Sequence, residues 1–236
     1  MLPGESKLVT IQLALFPRDV PQLLGSDITN FVLEFNNKLG NIFNTSPTIL
    51  PIPPDAPAEI PRVMLKSEPI KYSCNIAKSR IDFFITINST FNEVEIRTDY
   101  HQKIQAASNF LSDKEIKIIR IGYVATFEAD LSSLKITAPR YIKQHFIADK
   151  KFKDPQELTV RYVHRVTYNS GIDTNIVASM NQKGSGLTLE LNKLLIQFDI
   201  NSIPERTQNL TAQQINEFSA QALSEIASLI QNFPAI

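Results

Sequence analysis

Apolar and polar residues alternate with a period of two over several long stretches, and helical runs separate those stretches. Val9, Ile11, Leu13 and Leu15 give the first stretch one apolar face. Leu8, Ala14 and Phe16 make its other face apolar too, so it predicts a strand at the middle of a sheet or covered on both sides. Pro17 ends it. Ile28, Phe31, Val32, Phe35 and Leu39 then recur at helical spacing, with Ser26 or Asp27 as the cap and Gly40 as the stop. Strands are predicted at 63–65, 70–77 and 81–87, with a tight turn at Lys78-Ser79. Asn92, three residues before Glu95, opens a helix whose stripe is Tyr100, Ile104, Ala107 and Leu111. Ile119, Ile121, Tyr123, Ala125 and Phe127 mark the next strand, in which Gly122 predicts a bulge or a close approach by another element. A short helix is predicted at 140–147.

After Pro155, Leu158, Val160, Tyr162, His164 and Val166 alternate with Thr159, Arg161, Val163, Arg165 and Thr167. Asn169-Ser170-Gly171 turns the chain into a return strand through Ile176, Ala178 and Met180. Leu187, Leu189 and Leu191 lie on one face, but Ile196, Phe198 and Ile200 are out of phase with them. That change predicts two strands parted by a turn or bulge at Asn192-Lys193. Thr211 and Gln214 form a capping box, and Leu210 can staple onto Ile215. Ile215, Phe218, Ala222, Ile226, Leu229 and Phe233 then line a helix of about 22 residues, or about 33 Å.

Period-two strands grouped before long amphipathic helices predict an α+β fold, with one or more antiparallel sheets and the helices packed on one face. The second half reads as a meander of about four strands closed by the last helix. The organisation is either an α+β half at 1–130 and a meander plus long helix at 131–236, or one continuous domain. Phe-Ile-Thr-Ile-Asn-Ser from Phe84 and Phe-Asp-Ile-Asn-Ser from Phe198 each precede a long helix, which leaves a two-fold internal repeat open.

An apolar share of 43% supplies a core, and zero net charge argues against a dedicated nucleic-acid binder. Cys74 is the one cysteine, which excludes an intrachain disulfide and fits a reducing cytoplasm. No stretch has the length and apolarity of a membrane span, and the apolar run at 8–16 reads as a strand and not as a signal segment. Pro47, Pro51, Pro53, Pro54, Pro57 and Pro61 make 41–62 extended and irregular. It is either a stiff crossover or a ligand for a proline-recognising domain.

Glycine-rich phosphate loops, nucleophile elbows and zinc-binding helices are missing from the sequence, so no catalytic residue, metal ligand or cofactor is assigned. His164 stands between Arg161 and Arg165, a setting for a general base, an anion contact or a plain strand residue. Cys74 reads as a buried structural thiol. Glu93, Glu95 and Asp99 complement the start of a helix. Two surfaces remain. Lys135, Arg140, Lys143, Lys150, Lys151 and Lys153, interleaved with aromatic residues, form either a solvated connector or a contact for an acidic partner or nucleic acid. Tyr123, Tyr162, His164 and Phe198 are the candidate lining of an apolar pocket between sheet and helix.

The strand Arg120-Ile121-Gly122-Tyr123-Val124 resembles the Arg-Ile-Gly strand of a sporadically distributed family of uncharacterised bacterial proteins. The Leu-Ile-Gln-Phe-Asp-Ile-Asn segment at 195–201 resembles that family's acidic strand before its last helix, and it is also similar to the strand before the terminal helices in SecB-like chaperones. The resemblance covers most of the chain in layout but about a dozen residues in motif. There is no tryptophan to satisfy any motif that needs one, and no functional residue carries over. It implies antiparallel sheet and protein-binding habits without an activity. The leading expectation is therefore a non-enzymatic, cytoplasmic interaction protein, chaperone-like or regulatory, in a toxin–antitoxin or phage-defence setting. Its partner would be another protein or a second copy. A binder of a small apolar ligand and a nucleic-acid contact through 135–153 are the alternatives.

Overall fold

A computed structural model describes residues 2–18, 28–53, 55–69, 71–148, 155–184 and 190–233. Two long strands at the centre set its frame. β1 (Glu5–Pro17) and β6 (Ile118–Asp130) are each thirteen residues long and pair antiparallel over most of their length. The other strands are β2 (Thr48–Ile49), β3 (Val63–Lys66), β4 (Tyr72–Ile76), β5 (Ile81–Ser89), β7 (Val160–Thr167), β8 (Asp173–Lys183) and β9 (Glu190–Ser202). Among the described residues they form one antiparallel sheet of nine strands, in the order β2-β3-β4-β5-β1-β6-β9-β8-β7. The fold is α+β, as the periodicity predicts. Segments 1–130 and 131–236 both contribute to this sheet, which crosses from one to the other at the β6–β9 pair.

The helices are α1 (Ile28–Lys38), α2 (Glu93–Asp113), α3 (Ala138–Phe146) and α4 (Ala212–Gln231). Cross-strand partners point to the same face. Leu65, Cys74, Phe83, Leu13, Tyr123, Ile200, Ile176 and His164 therefore form one row across the sheet. Tyr72, Ile85, Ile11, Ala125, Phe198, Ala178 and Tyr162 form the next row on that face. Helices cover these rows. Tyr100 of α2 stacks on Phe83 at 5.2 Å, and Phe233 beyond α4 meets Phe198 edge-on. Phe146 of α3 lies against Tyr162, and α1 packs Phe31 and Phe35 on Phe110 of α2. The opposite face carries no described helix. Its central positions, among them Thr10, Gln12, Thr126, Asp199 and Asn201, are half-buried.

Local sequence accounts for the helix ends. Asn92 accepts the Glu95 amide, and Thr211 and Gln214 close both bonds of the capping box. Gly40 takes φ +80° after α1. Ser26 and Asp27 lie outside the described residues. α2 and α4 run antiparallel, tied by Arg97 to Ser224 at 3.2 Å and by Ser108 to Asn216 at 3.1 Å. Ile104 and Ile226 are both buried in this helix layer.

Four expectations change. The inner face of β1 uses Leu8 and not Val9, because a bulge between Leu8 and Thr10 shifts the phase. At the start of β6 Ile118 and not Ile119 is buried, because the register shifts again opposite Phe16 and Pro17. Gly122 neither makes a bulge nor admits a close neighbour. A Cβ there would meet Asn201 and Ala14 at ordinary contact distance. The two strands expected on either side of Asn192-Lys193 become one. In β9 the step from Glu190, opposite Lys183, to Leu194, opposite Gln182, leaves residues 191–193 bulged. The second half's meander thus consists of β7, β8 and β9. Leu187 and Leu189 lie outside the described residues.

A common element order appears only if the chain is divided before β6, at about residue 117, and not at 130: β1-α1-β3-β4-β5-α2 and β6-α3-β7-β8-β9-α4 then correspond, apart from the short β2 and the 3-10 turn Ser132–Leu134. Outward from the β1–β6 pair come β5, β4 and β3 on one side and β9, β8 and β7 on the other. The echoed tripeptides end β5 and β9, yet their surroundings differ. Asn88 and Ser89 are exposed, whereas Ser202 is buried and accepts the Ile121 amide at 3.0 Å.

Candidate interaction surface

An open sheet has two edges, each with a row of unpaired backbone groups. The β2 edge is two residues long, and Pro47 and Pro51 flank it. The proline segment behind it is tied down by Arg62, whose guanidinium donates to the Ile52 carbonyl at 2.8 Å and the Pro53 carbonyl at 3.3 Å. Asn44 holds the start of the crossover to Glu68 through a pair of hydrogen bonds.

The β7 edge is built differently. Its eight residues contain no proline or glycine, pair regularly with β8, and have no described partner on the other side. Residues 161–165 are all exposed, including Tyr162 at 48% and Val163 at 52%. The hairpin turn fixes which backbone groups point outward. Gly171 adopts φ +73°, and Tyr168 donates its amide to Ile172 at 3.0 Å. Hydrogen-bonded and non-bonded pairs alternate from that pair. Val166, His164 and Tyr162 therefore direct their amides and carbonyls at β8. Thr167, Arg165, Val163 and Arg161 direct theirs at the free side.

Side chains follow the same alternation. Arg161, Val163 and Arg165 lie on the helix-free face, opposite Ser179, Val177 and Asn175. Arg165 donates to Asn175 at 3.0 Å. Tyr162 and His164 lie on the helix face, where the Tyr162 hydroxyl donates to the Phe146 carbonyl at 3.3 Å. The strand carries two arginines and a histidine and no acid.

The contact between Phe146 and Tyr162, with ring centroids 6.3 Å apart, sets α3 beside this edge. Three residues of the basic stretch are described. Arg140 is exposed on α3 and Lys143 is half-buried, while Lys135 is exposed after a 3-10 turn, with φ +53°. Lys150, Lys151 and Lys153 lie outside the described residues.

The four candidate pocket residues are separated. Tyr123 and Phe198 are packed in the core, whereas Tyr162 and His164 are exposed at the sheet edge. All four lie on the helix face, but at β7 only Phe146, at the end of α3, reaches Tyr162, and both β7 residues stay exposed. A cleft of about 570 Å³ lies elsewhere, between the β5–α2 connection (Ser89, Thr90, Asn92, Glu93) and Ile230 and Gln231 of α4.

Alternation did not reveal the setting of His101. Its ring lies on the half-buried flank of α2, 3.3 Å from the Tyr123 hydroxyl. Burial, and then the Arg97 charge, push its pKa down to about 4. Its position next to Tyr100, on the edge of the α2 stripe, was the available signal. Cys74 is fully buried on β4, where burial and the charge of Asp82 push its thiol pKa well up, away from nucleophilic character. Asp82 is itself pushed up by burial, against hydrogen bonds from Gln12 and Arg80. Among the described residues no group of three His, Cys, Asp or Glu side chains is placed to hold a metal ion. No described helix is long and apolar enough to cross a membrane.

No family model and no curated protein matches the chain. Among solved structures, a substrate-free duplicated taurocyamine kinase from Schistosoma mansoni is similar at 10% identity and a TM-score of 0.31. The match covers 97% of this chain and 35% of the kinase chain, and a likeness at this level carries no argument about fold or activity.

Proposed function

We propose that the protein is a non-enzymatic interaction module, chaperone-like or regulatory, which takes an extended segment of another protein as an added strand on β7. The observation that carries this reading is the contrast between five consecutive exposed residues on a regular β7 edge and a proline-flanked opposite edge of two residues. Strand addition draws affinity from main-chain hydrogen bonds and selectivity from alternate side chains. Arg161, Val163 and Arg165 direct outward amides and carbonyls that have no described partner, in register for such a segment. The matching element order of the halves supports reading them as two versions of one unit, with outermost strands that have diverged. In this view β3 is capped by β2 and the proline segment, and β7 is left to a partner.

The test compares tagged wild type with Val163→Pro in co-purification from the native host. Proline at 163 removes an outward amide without removing a β7–β8 hydrogen bond, so folding is retained. A protein that co-purifies with wild type and is lost from the variant is the expected result. Identical partners for both, or a monomer that captures nothing, would contradict the reading.

A further inference from the structure

We infer that the segment accepted by β7 is acidic, with the alternating pattern acid-x-apolar-x-acid centred opposite Val163; this rests on the strand-addition reading above. The outward amides belong to Arg161, Val163 and Arg165, so an antiparallel partner forms its hydrogen-bonded pairs with these three residues. Directly opposed side chains share a face. Two partner side chains therefore stand against Arg161 and Arg165 on the helix-free face, with the one between them against Val163.

The described charges on the edge strand have one sign. β7 holds Arg161 and Arg165, both on the helix-free face where the partner side chains would stand. The described acids near by are Glu157, before the strand, Asp173, which accepts the Thr167 hydroxyl at 2.7 Å at the turn, and Asp199 of β9, in the row of Val163 and Val177 two strands in from the edge. Glu157 and Asp173 lie beyond the two arginines and Asp199 lies behind β8, so the charges on the edge strand itself are basic. Opposite-charge pairs across strands are favourable and like-charge pairs are not.

The same rule disfavours a second copy of this chain. Antiparallel self-pairing centred on Val163 sets Arg161 opposite Arg165 on both sides of the axis. Centring on His164 sets Val163 opposite Arg165, so neither arginine meets an opposite charge. An acidic strand meets neither conflict. The apolar position opposite Val163 adds contact with Val163 and its neighbour Val177.

The probes are short capped peptides with the core Glu-Thr-Val-Thr-Glu or Gln-Thr-Val-Thr-Gln, and an unstructured single-stranded oligonucleotide. Binding is read by fluorescence anisotropy against wild type, Val163→Pro and an Arg161→Glu/Arg165→Glu double variant, with the oligomeric state followed by sedimentation. On wild type the Glu peptide should bind about fivefold to tenfold more tightly than the Gln peptide, an advantage that added salt erodes. The double variant should reverse that preference, and Val163→Pro should abolish both interactions. If the Glu and Gln peptides bind alike and Val163→Pro removes both, the acidic pattern is wrong and strand addition stands. If no peptide binds, or if Val163→Pro changes nothing, both readings fall. A dimer that Val163→Pro dissociates assigns the edge to a second copy and overturns the inference. Tighter binding of the oligonucleotide, insensitive to Val163→Pro, overturns it as well.

Discussion

The two ends of the sheet solve one physical problem in opposite ways. At β2 the edge is shortened to Thr48–Ile49, and a proline-bearing crossover follows, held by the Arg62 guanidinium. At β7 the edge is long, regular, exposed and basic. Proteins protect edges with short strands, prolines, charges or bulges, since an unpaired edge is a template for another chain. β2 uses the first two devices. β7 uses charge alone, and charge of one sign repels a like strand while it attracts an opposite one. The difference teaches that a polar edge strand can be protected against its own copy and remain open to a selected partner.

The contrast sharpens first along one cross-strand row. Phe198 and Tyr162 share a row on the helix face, one strand apart. Phe198 is buried and Tyr162 half exposed. Phe198→Ala should cost about 3–5 kcal/mol in urea unfolding, and Tyr162→Ala no more than about 1 kcal/mol. Equal costs would mean that β7 is buried in solution, and the comparison of the edges would fail.

Next, Arg62→Ala should remove the tether of the blunt edge. Arg62 is buried, and its loss strips a partner from the Ile52 carbonyl, for about 1–3 kcal/mol. Limited proteolysis should then cut within 50–61 before any other described loop. Unchanged protection there would show that the prolines alone hold the segment.

A third effect belongs to the helix layer over the middle of the sheet and to neither edge. His101 stays neutral in the folded protein down to about pH 4. The unfolded imidazole takes up its proton near pH 6.5, so the unfolded state binds more protons between those values. Stability should therefore fall as the pH drops from about 6.5 to about 4, by about 1–2 kcal/mol relative to His101→Gln. Parallel pH profiles of wild type and variant would remove His101 as the source.

The smallest effect is expected at the open edge itself. Val163→Lys should shift stability by no more than about 0.5 kcal/mol, because the side chain is exposed. The added cation should nevertheless weaken the docking of a strand with an apolar residue opposite position 163. A clear loss of stability would reveal an unrecognised cover over β7.

Local chemistry was legible in the sequence where it acts locally. Asn92, Thr211 and Gln214 announce the starts of α2 and α4, and Tyr100, Ile104, Ile215 and Ile226 announce their buried stripes. The inward faces of β1, β6 and β9 follow from alternation, except where irregularities at 8–10, 118–120 and 191–193 reset the phase. The position of β7 was not legible. Val160, Tyr162, His164 and Val166 alternate like a half-buried strand, and only the non-local pairing order puts them at the margin. Arg161 and Arg165 therefore read as the setting of His164, and the outward amides between them went unseen. The candidate pocket failed for the same reason: strand alternation assigns Tyr123 and Tyr162 to a face but cannot show how far the helices extend across it.

Amide hydrogen exchange along β7 tests the open edge most directly. In the free protein, Tyr162, His164 and Val166 should be protected by β8, and Arg161, Val163 and Arg165 should exchange rapidly. Adding the Glu-Thr-Val-Thr-Glu peptide should slow the second set and leave the first unchanged. Uniform protection along the strand without peptide would show that the edge is already occupied, and the central claim would be wrong.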